Sequence, residues 1–143
     1  MSIAVIDYGM GNLRSVSKAL EHVAGGRKVI VTADPAVVAA ADRVVFPGQG
    51  AMPDCMAELE ARGLRAAVLS AAREKPFLGI CVGEQMLFEH SDEGNVAALG
   101  VFPGNVAHFP DAEMCLPGGE RLKVPHMGWN EVCQKSHPLW QGI

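Results

Sequence analysis

No cationic patch interrupts this sequence. Its 12 Lys and Arg residues are scattered, and 16 Asp and Glu residues leave a formal net charge of −4. Bulk electrostatics therefore draws the chain neither to nucleic acid nor to an anionic membrane surface. Long apolar runs are missing too, and none approaches the roughly 18 residues of a membrane span. The opening MSIAVIDYGM has no charged leader region and no cleavage site, so it reads as a first strand and not a signal peptide. The four cysteines, Cys55, Cys81, Cys115 and Cys133, show no CxxC spacing. That argues against a metal held by cysteine and for a reduced, cytoplasmic setting, with no metal site expected. Low-complexity tracts and internal repeats are likewise absent.

What is present is a globular composition, 49% hydrophobic and 20% charged, in 143 residues. That length suits a single domain over 1–143. Four short apolar runs, Ile3–Ile6, Lys28–Val31, Val44–Phe46 and Phe77–Ile80, have the texture of buried parallel strands. Helical patterns separate them. Leu13, Val16, Ala19 and Leu20 recur at helical spacing, and Asp34 with Pro35 marks a capped helix start. A longer helix is predicted over about 53–72, with Met56, Leu59, Leu64, Val68 and Leu69 inward and Gly63 as a candidate break. A last helix should run from Cys81 to about Phe88. Alternating strand and helix predicts an α/β fold, a mostly parallel sheet with helices on both faces. Beyond Gly94, ALGVFPGNVAHFP and ERLKVPHMGWNEV read as short strands between Pro and Gly turns, laid on the sheet edge.

In open parallel sheets ligands bind beyond the carboxyl ends of the strands. The loops there are DYGMGN, PGQG and GICVGEQ, which should converge on one rim. The third has the form Gly-x-nucleophile-x-Gly, with Cys81 between Gly79 and Gly83. Such a turn lifts a side chain clear of the sheet at the start of a helix, whose N-terminal dipole favours a thiolate. Backbone N–H groups there are suited to hold an oxyanion. The alternative is a small buried residue at a helix start. Gly48-Gln49-Gly50 either turns a further donor inward or simply ends a strand. Cys55 and Cys133 read as core residues, and Cys115 as an exposed bystander. A cysteine nucleophile needs a histidine base. Among His22, His90, His108, His126 and His137, only His126 has a constrained neighbourhood, and none stands out as that base.

GICVGEQ resembles the nucleophile motif of the class I glutamine amidotransferases. IDYGMGNLRSV, PGQGAM, KPFLGICVGEQMLFEHSDEG, GVFPGNVAHF and KVPHMGWNEV resemble, more narrowly, the glutaminase subunits of imidazole glycerol phosphate synthase in histidine biosynthesis. The resemblance implies a flavodoxin-like three-layer fold that hydrolyses L-glutamine through a Cys-His-Glu triad without a cofactor. It places Cys81 as nucleophile, Gly48, Gln49, Gly50 and Val82 at the oxyanion hole, and Gln85 and Glu93 on the substrate glutamine. It implies a (β/α)8 cyclase subunit as partner, met by Asn12, His126, Met127 and Trp129. Asn12 has a local alternative as a helix cap, and Trp129 as a core residue. Val82, Glu84 and Gln49 replace the family's usual leucine, methionine and valine. The family's triad His and Glu would fall after Ile143, so the chain is expected to be an incomplete amidotransferase domain, inactive alone, with some sheet surface uncovered. Two other readings stand beside this one: a non-catalytic docking module for a (β/α)8 partner, and another class I amidotransferase subunit.

Overall fold

The four apolar runs become the strands of one parallel sheet in a computed structural model of the chain. Residues 1–116, 118–125 and 128–141 are described. They divide into two compact units, Met1–His108 and Phe109–Ile143. In the first unit the order is β1 (Ser2–Ile6), α1 (Leu13–Val23), β2 (Lys28–Thr32), α2 (Pro35–Ala40), β3 (Arg43–Gly48), α3 (Met52–Ala61), α4 (Arg65–Glu74), β4 (Phe77–Cys81) and α5 (Val82–Gln85). The strands lie in the order β2-β1-β3-β4.

Register decides which side chains share a face. Val5 pairs with Val31 and with Val45, and Val45 with Leu78, so these residues lie on one side. There Leu13, Val16 and Leu20 of α1 cover Ile3, Val5 and Val45. The opposite side carries Ile6, Val44 and Phe46, which meet Val38 of α2, Cys55 and Leu59 of α3, and Val68 of α4. Helices therefore flank both faces, the three-layer α/β arrangement that strand and helix alternation predicts. Cover on the α1 side is partial: on β4, the outer strand, Leu78 is 53% exposed.

Local chemistry sets the boundaries. Asp34 Oδ1 accepts from Ala36 N–H at 2.8 Å, with Pro35 at the first helical position, as the sequence predicts. The predicted long helix is two, α3 and α4, because Gly63 takes φ +65° between them. At its far end α2 lacks a glycine cap. Instead the Lys75 ammonium donates to the carbonyls of Val38 (3.3 Å), Ala39 and Ala41 (2.7 Å), supplying positive charge where the helix is negative. Replacing Lys75 with Met is expected to cost about 1–2 kcal/mol of stability, as charge-assisted bonds at a half-exposed site would. A urea-unfolding midpoint equal to wild type would show that water serves those carbonyls as well.

Two sequence expectations need correction. The segments after Gly94 do not extend the main sheet. β6 (Val96–Ala97) and β7 (Asn105–Val106) flank β5 (His90–Ser91) in a separate three-stranded sheet, and β5–β7 is parallel. ERLKVPHMGWNEV has strand-like alternation, yet among the described residues of the second unit its only ladder contact is the bridge from Arg121 to Cys115. Alternation makes a strand only where a neighbour takes up the backbone N–H and C=O groups. Cys133, expected in the core, is consequently exposed, as is Cys115. The second unit also contains 3-10 turns at Asp111–Glu113 and Pro138–Trp140 and an ion pair between Arg121 and Asp111 at 2.7 Å.

Candidate active site at the Cys81 elbow

Cys81 closes β4 with φ +57° and ψ −126°, a conformation that L-residues rarely adopt, and its side chain is exposed. The backbone turns there from strand into α5. Close approach, and not local flexibility, explains the flanking glycines. A Cβ on Gly83 would sit 2.0 Å from the Phe46 carbonyl oxygen of β3. One on Gly79 would sit 2.7 Å from Glu84 Cα, and one on Gly48 would sit 2.3 Å from Gly83 N. Real Cβ contacts are never so short, so the first turn of α5 can lie against β3 and fold back on β4 only if these three residues are glycine.

The helix at Cys81 is shorter than predicted. It ends at Gln85, and Leu87 and Phe88 continue in tighter turns through bonds to Glu84 and Gln85 carbonyls. Gly83 favours the sharp entry but weakens helix propagation, and Leu99 and Val101 N–H groups take the carbonyls of Met86 and Leu87 that a longer helix would use. One turn aligns few peptide dipoles, so the macrodipole contributes less here than a helix to Phe88 would.

The three glycine-bearing loops do converge. Gly48 pairs in register with Cys81. A Cβ on Gly48 would also lie 2.8 Å from the Val82 carbonyl carbon, which puts Gly48 and Val82 side by side next to the thiol. Gly50 takes φ +114° and faces Met10 of the first loop. Asp7 Oδ1 accepts from Gly9 N–H at 2.9 Å and shapes that loop. Gly48 and Val82 are buried, Gln49 and Gly50 exposed, and Gln85 half-buried.

Glu93 stands at the start of the segment that crosses back to α3. Its Oε2 accepts from Met52 N–H at 3.0 Å and so caps α3, which has no side-chain cap of its own. Gly94, at φ +73°, leaves no room for a Cβ against Pro53. Asn12 caps α1, accepting from Ser15 N–H at 3.2 Å. Trp129 is 102% exposed, which excludes the core alternative. His126 and Met127 lie outside the described residues. Among the described residues no histidine is hydrogen-bonded to Cys81, and no group of His, Cys, Asp and Glu is arranged for a metal.

Beneath the site lies a cluster that sequence reasoning did not connect. Tyr8, the chain's single tyrosine, is fully buried, packs against Phe46 with centroids 5.2 Å apart and ring planes tilted 46°, and donates to Met86 Sδ at 3.6 Å. Burial above all pushes its phenol far above the ordinary range, with Cys55 and Cys81 adding to the rise. Cys55 was legible as a core residue; its thiol donating to the Gln49 carbonyl at 3.6 Å was not. Burial pushes that thiol up as well, keeping it protonated at neutral pH.

Among the described residues no helix is long and apolar enough to cross a membrane. The class-I glutamine amidotransferase family model matches residues 4–143. The chain is 84% identical over 142 residues to the imidazole glycerol phosphate synthase subunit HisH of Dechloromonas aromatica, covering 99% of this chain and 66% of that protein. It is 72% identical over 142 residues to the subunit of the same name from Aromatoleum aromaticum (99% and 67% covered). A third from Thiobacillus denitrificans is 65% identical over 144 residues (100% and 63% covered). The chain thus spans about two thirds of the length of these relatives. With the glycine-framed cysteine elbow beside the Gly48–Gly50 turn, this match establishes that the chain belongs to the class-I glutamine amidotransferase family.

Proposed function

We propose that this chain carries the nucleophile of a glutaminase subunit of imidazole glycerol phosphate synthase, in a cytoplasmic setting. The observation that carries the reading is the exposed Cys81 thiol on a strained turn, wedged between β3 and α5 by Gly48, Gly79 and Gly83. In the proposed reaction Cys81 Sγ attacks the side-chain carboxamide carbon of L-glutamine. The developing oxyanion takes hydrogen bonds from Val82 N–H and the Gly48-Gln49-Gly50 segment. The C–N bond then breaks, ammonia leaves with a proton from a general acid, and a thioester remains. Water cleaves the thioester to glutamate and restores the thiol.

Gln85 and Glu93 are proposed to hold the substrate. One Glu93 oxygen is engaged by Met52 N–H, and the other is left to meet the substrate ammonium. The proposed partner is a (β/α)8 cyclase subunit that receives the ammonia, with Asn12, His126, Met127 and Trp129 at the contact. A fully exposed tryptophan supports a partner surface at Trp129, since such anchors dominate interfaces once covered.

A glutamine-shaped chloroketone tests the reading. Cys81 Sγ displaces chloride to form a thioether, and labelling at Cys81 is expected to outpace that at Cys115 and Cys133 at least tenfold, the low end of what positioning and oxyanion contacts supply. Cys55, buried and protonated, should stay unlabelled. Equal, slow labelling of the three exposed cysteines would overturn the glutaminase reading and favour a docking module without chemistry.

A further inference from the structure

We infer that Cys55 is a positioning residue for the oxyanion segment, its buried thiol holding the Gln49 carbonyl so that the Gln49–Gly50 peptide keeps one orientation. This rests on the glutaminase reading, since only an oxyanion role gives that peptide's orientation a chemical consequence.

Cys55 lies in the first turn of α3 and is fully buried. Its N–H is bound to the Ala51 carbonyl at 3.0 Å, so the residue is fixed before its side chain acts. From there Sγ reaches back six residues to the Gln49 oxygen at 3.6 Å. In a trans peptide the carbonyl and the following N–H point in opposite directions. Holding the Gln49 oxygen on the α3 side therefore turns the Gly50 N–H to the other side. A glycine at that position, with φ +114°, would otherwise let the peptide rotate.

Two neighbours brace the same run. The Tyr8 hydroxyl lies behind Gly48, 2.8 Å from where a Cβ would be, and donates to Met86 Sδ. Glu93 holds Met52 N–H at the other end. Residues 48–52 are thus held by two hydrogen bonds, Cys55 at Gln49 and Glu93 at Met52, with Tyr8 packed behind Gly48. A residue chosen only to fill space would not need a donor, and valine or alanine would serve. The protonated thiol supplies one.

The test compares Cys55→Ala, Cys55→Ser and Tyr8→Phe with wild type, each first checked for an unchanged fold by circular dichroism. The Gln49 carbonyl 13C and Gly50 amide 15N chemical shifts read that peptide's hydrogen bond and orientation. Both are expected to move in Cys55→Ala, the carbonyl upfield as its hydrogen bond is lost, and to return toward the wild-type values in Cys55→Ser. Tyr8→Phe should shift them by less. The chemical readout is the ratio of Cys81 alkylation by the glutamine-shaped chloroketone to its modification by methyl methanethiosulfonate, which has no carbonyl to polarise. That ratio should fall about tenfold in Cys55→Ala and recover in Cys55→Ser. Unchanged Gln49 carbonyl and Gly50 amide shifts in Cys55→Ala overturn the inference, as do moved shifts with an unchanged ratio. A wild type that itself shows no preference for the ketone marks failure of the glutaminase reading instead.

Discussion

Gly83→Ala is expected to cost about 3 kcal/mol or more, over half of the roughly 5 kcal/mol at the low end for domains of this size. The added methyl would meet the Phe46 carbonyl oxygen at 2.0 Å and the Phe46 and Pro47 carbonyl carbons at 2.9 Å. All three are backbone atoms of β3, a central strand hydrogen-bonded on both sides, so none can yield without disturbing the sheet. Two other glycines calibrate the effect. Gly63 has open space around it but φ +65°, so Gly63→Ala should cost only about 1 kcal/mol of conformational strain. Gly118 has neither restriction, and Gly118→Ala should lie within about 0.5 kcal/mol of wild type. Denaturant unfolding of the three variants checks the order. A Gly83→Ala protein as stable as Gly63→Ala would mean that α5 does not lie against β3 as described.

The contrast between these glycines marks where sequence reading works. Gly63 was legible as a helix break because its effect is local: a positive φ between two apolar periodicities. Strands β1 to β4 were legible because each is a short apolar run between turn residues, and the register then follows from parallel pairing. Gly79 and Gly83 were legible as a motif, but their physical reason is tertiary. Gly83 answers to Phe46, 37 positions away in the chain, and no spacing rule contains that distance. The same limit hid Tyr8's place beneath Gly48, which depends on β1 lying beside β3, while the Cys55 bond to Gln49 spans only six positions but depends on the angle at which α3 leaves β3. Strand-like alternation near Cys133 misled for the converse reason, because a local pattern was present and its long-range partner was not. The helix after Cys81 was overextended because apolar Met86 and Leu87 continue a helical pattern while their carbonyls are taken by Leu99 and Val101.

Cys81→Gly should make the protein more stable than Cys81→Ala while both abolish chloroketone labelling at this position. At φ +57° and ψ −126° a side chain of any kind is strained, by an amount on the order of 1–3 kcal/mol. Alanine keeps the strain and loses the thiol. Glycine relieves it, offset by about 0.5–1 kcal/mol for the freer unfolded chain, so a net advantage of about 1–2 kcal/mol over alanine is expected. Paired urea-unfolding curves measure it. Equal midpoints, or a less stable glycine variant, would show that the turn is not strained and that the thiol sits there without energetic cost. The prediction matters for function because strain of this size persists only where surroundings over-determine the backbone. Here β3 holds the turn twice, with Gly48 in register with Cys81 and Phe46 against Gly83. A substrate therefore meets a nucleophile whose direction is already set, and the conformational cost of aiming it has been met by folding and not by binding.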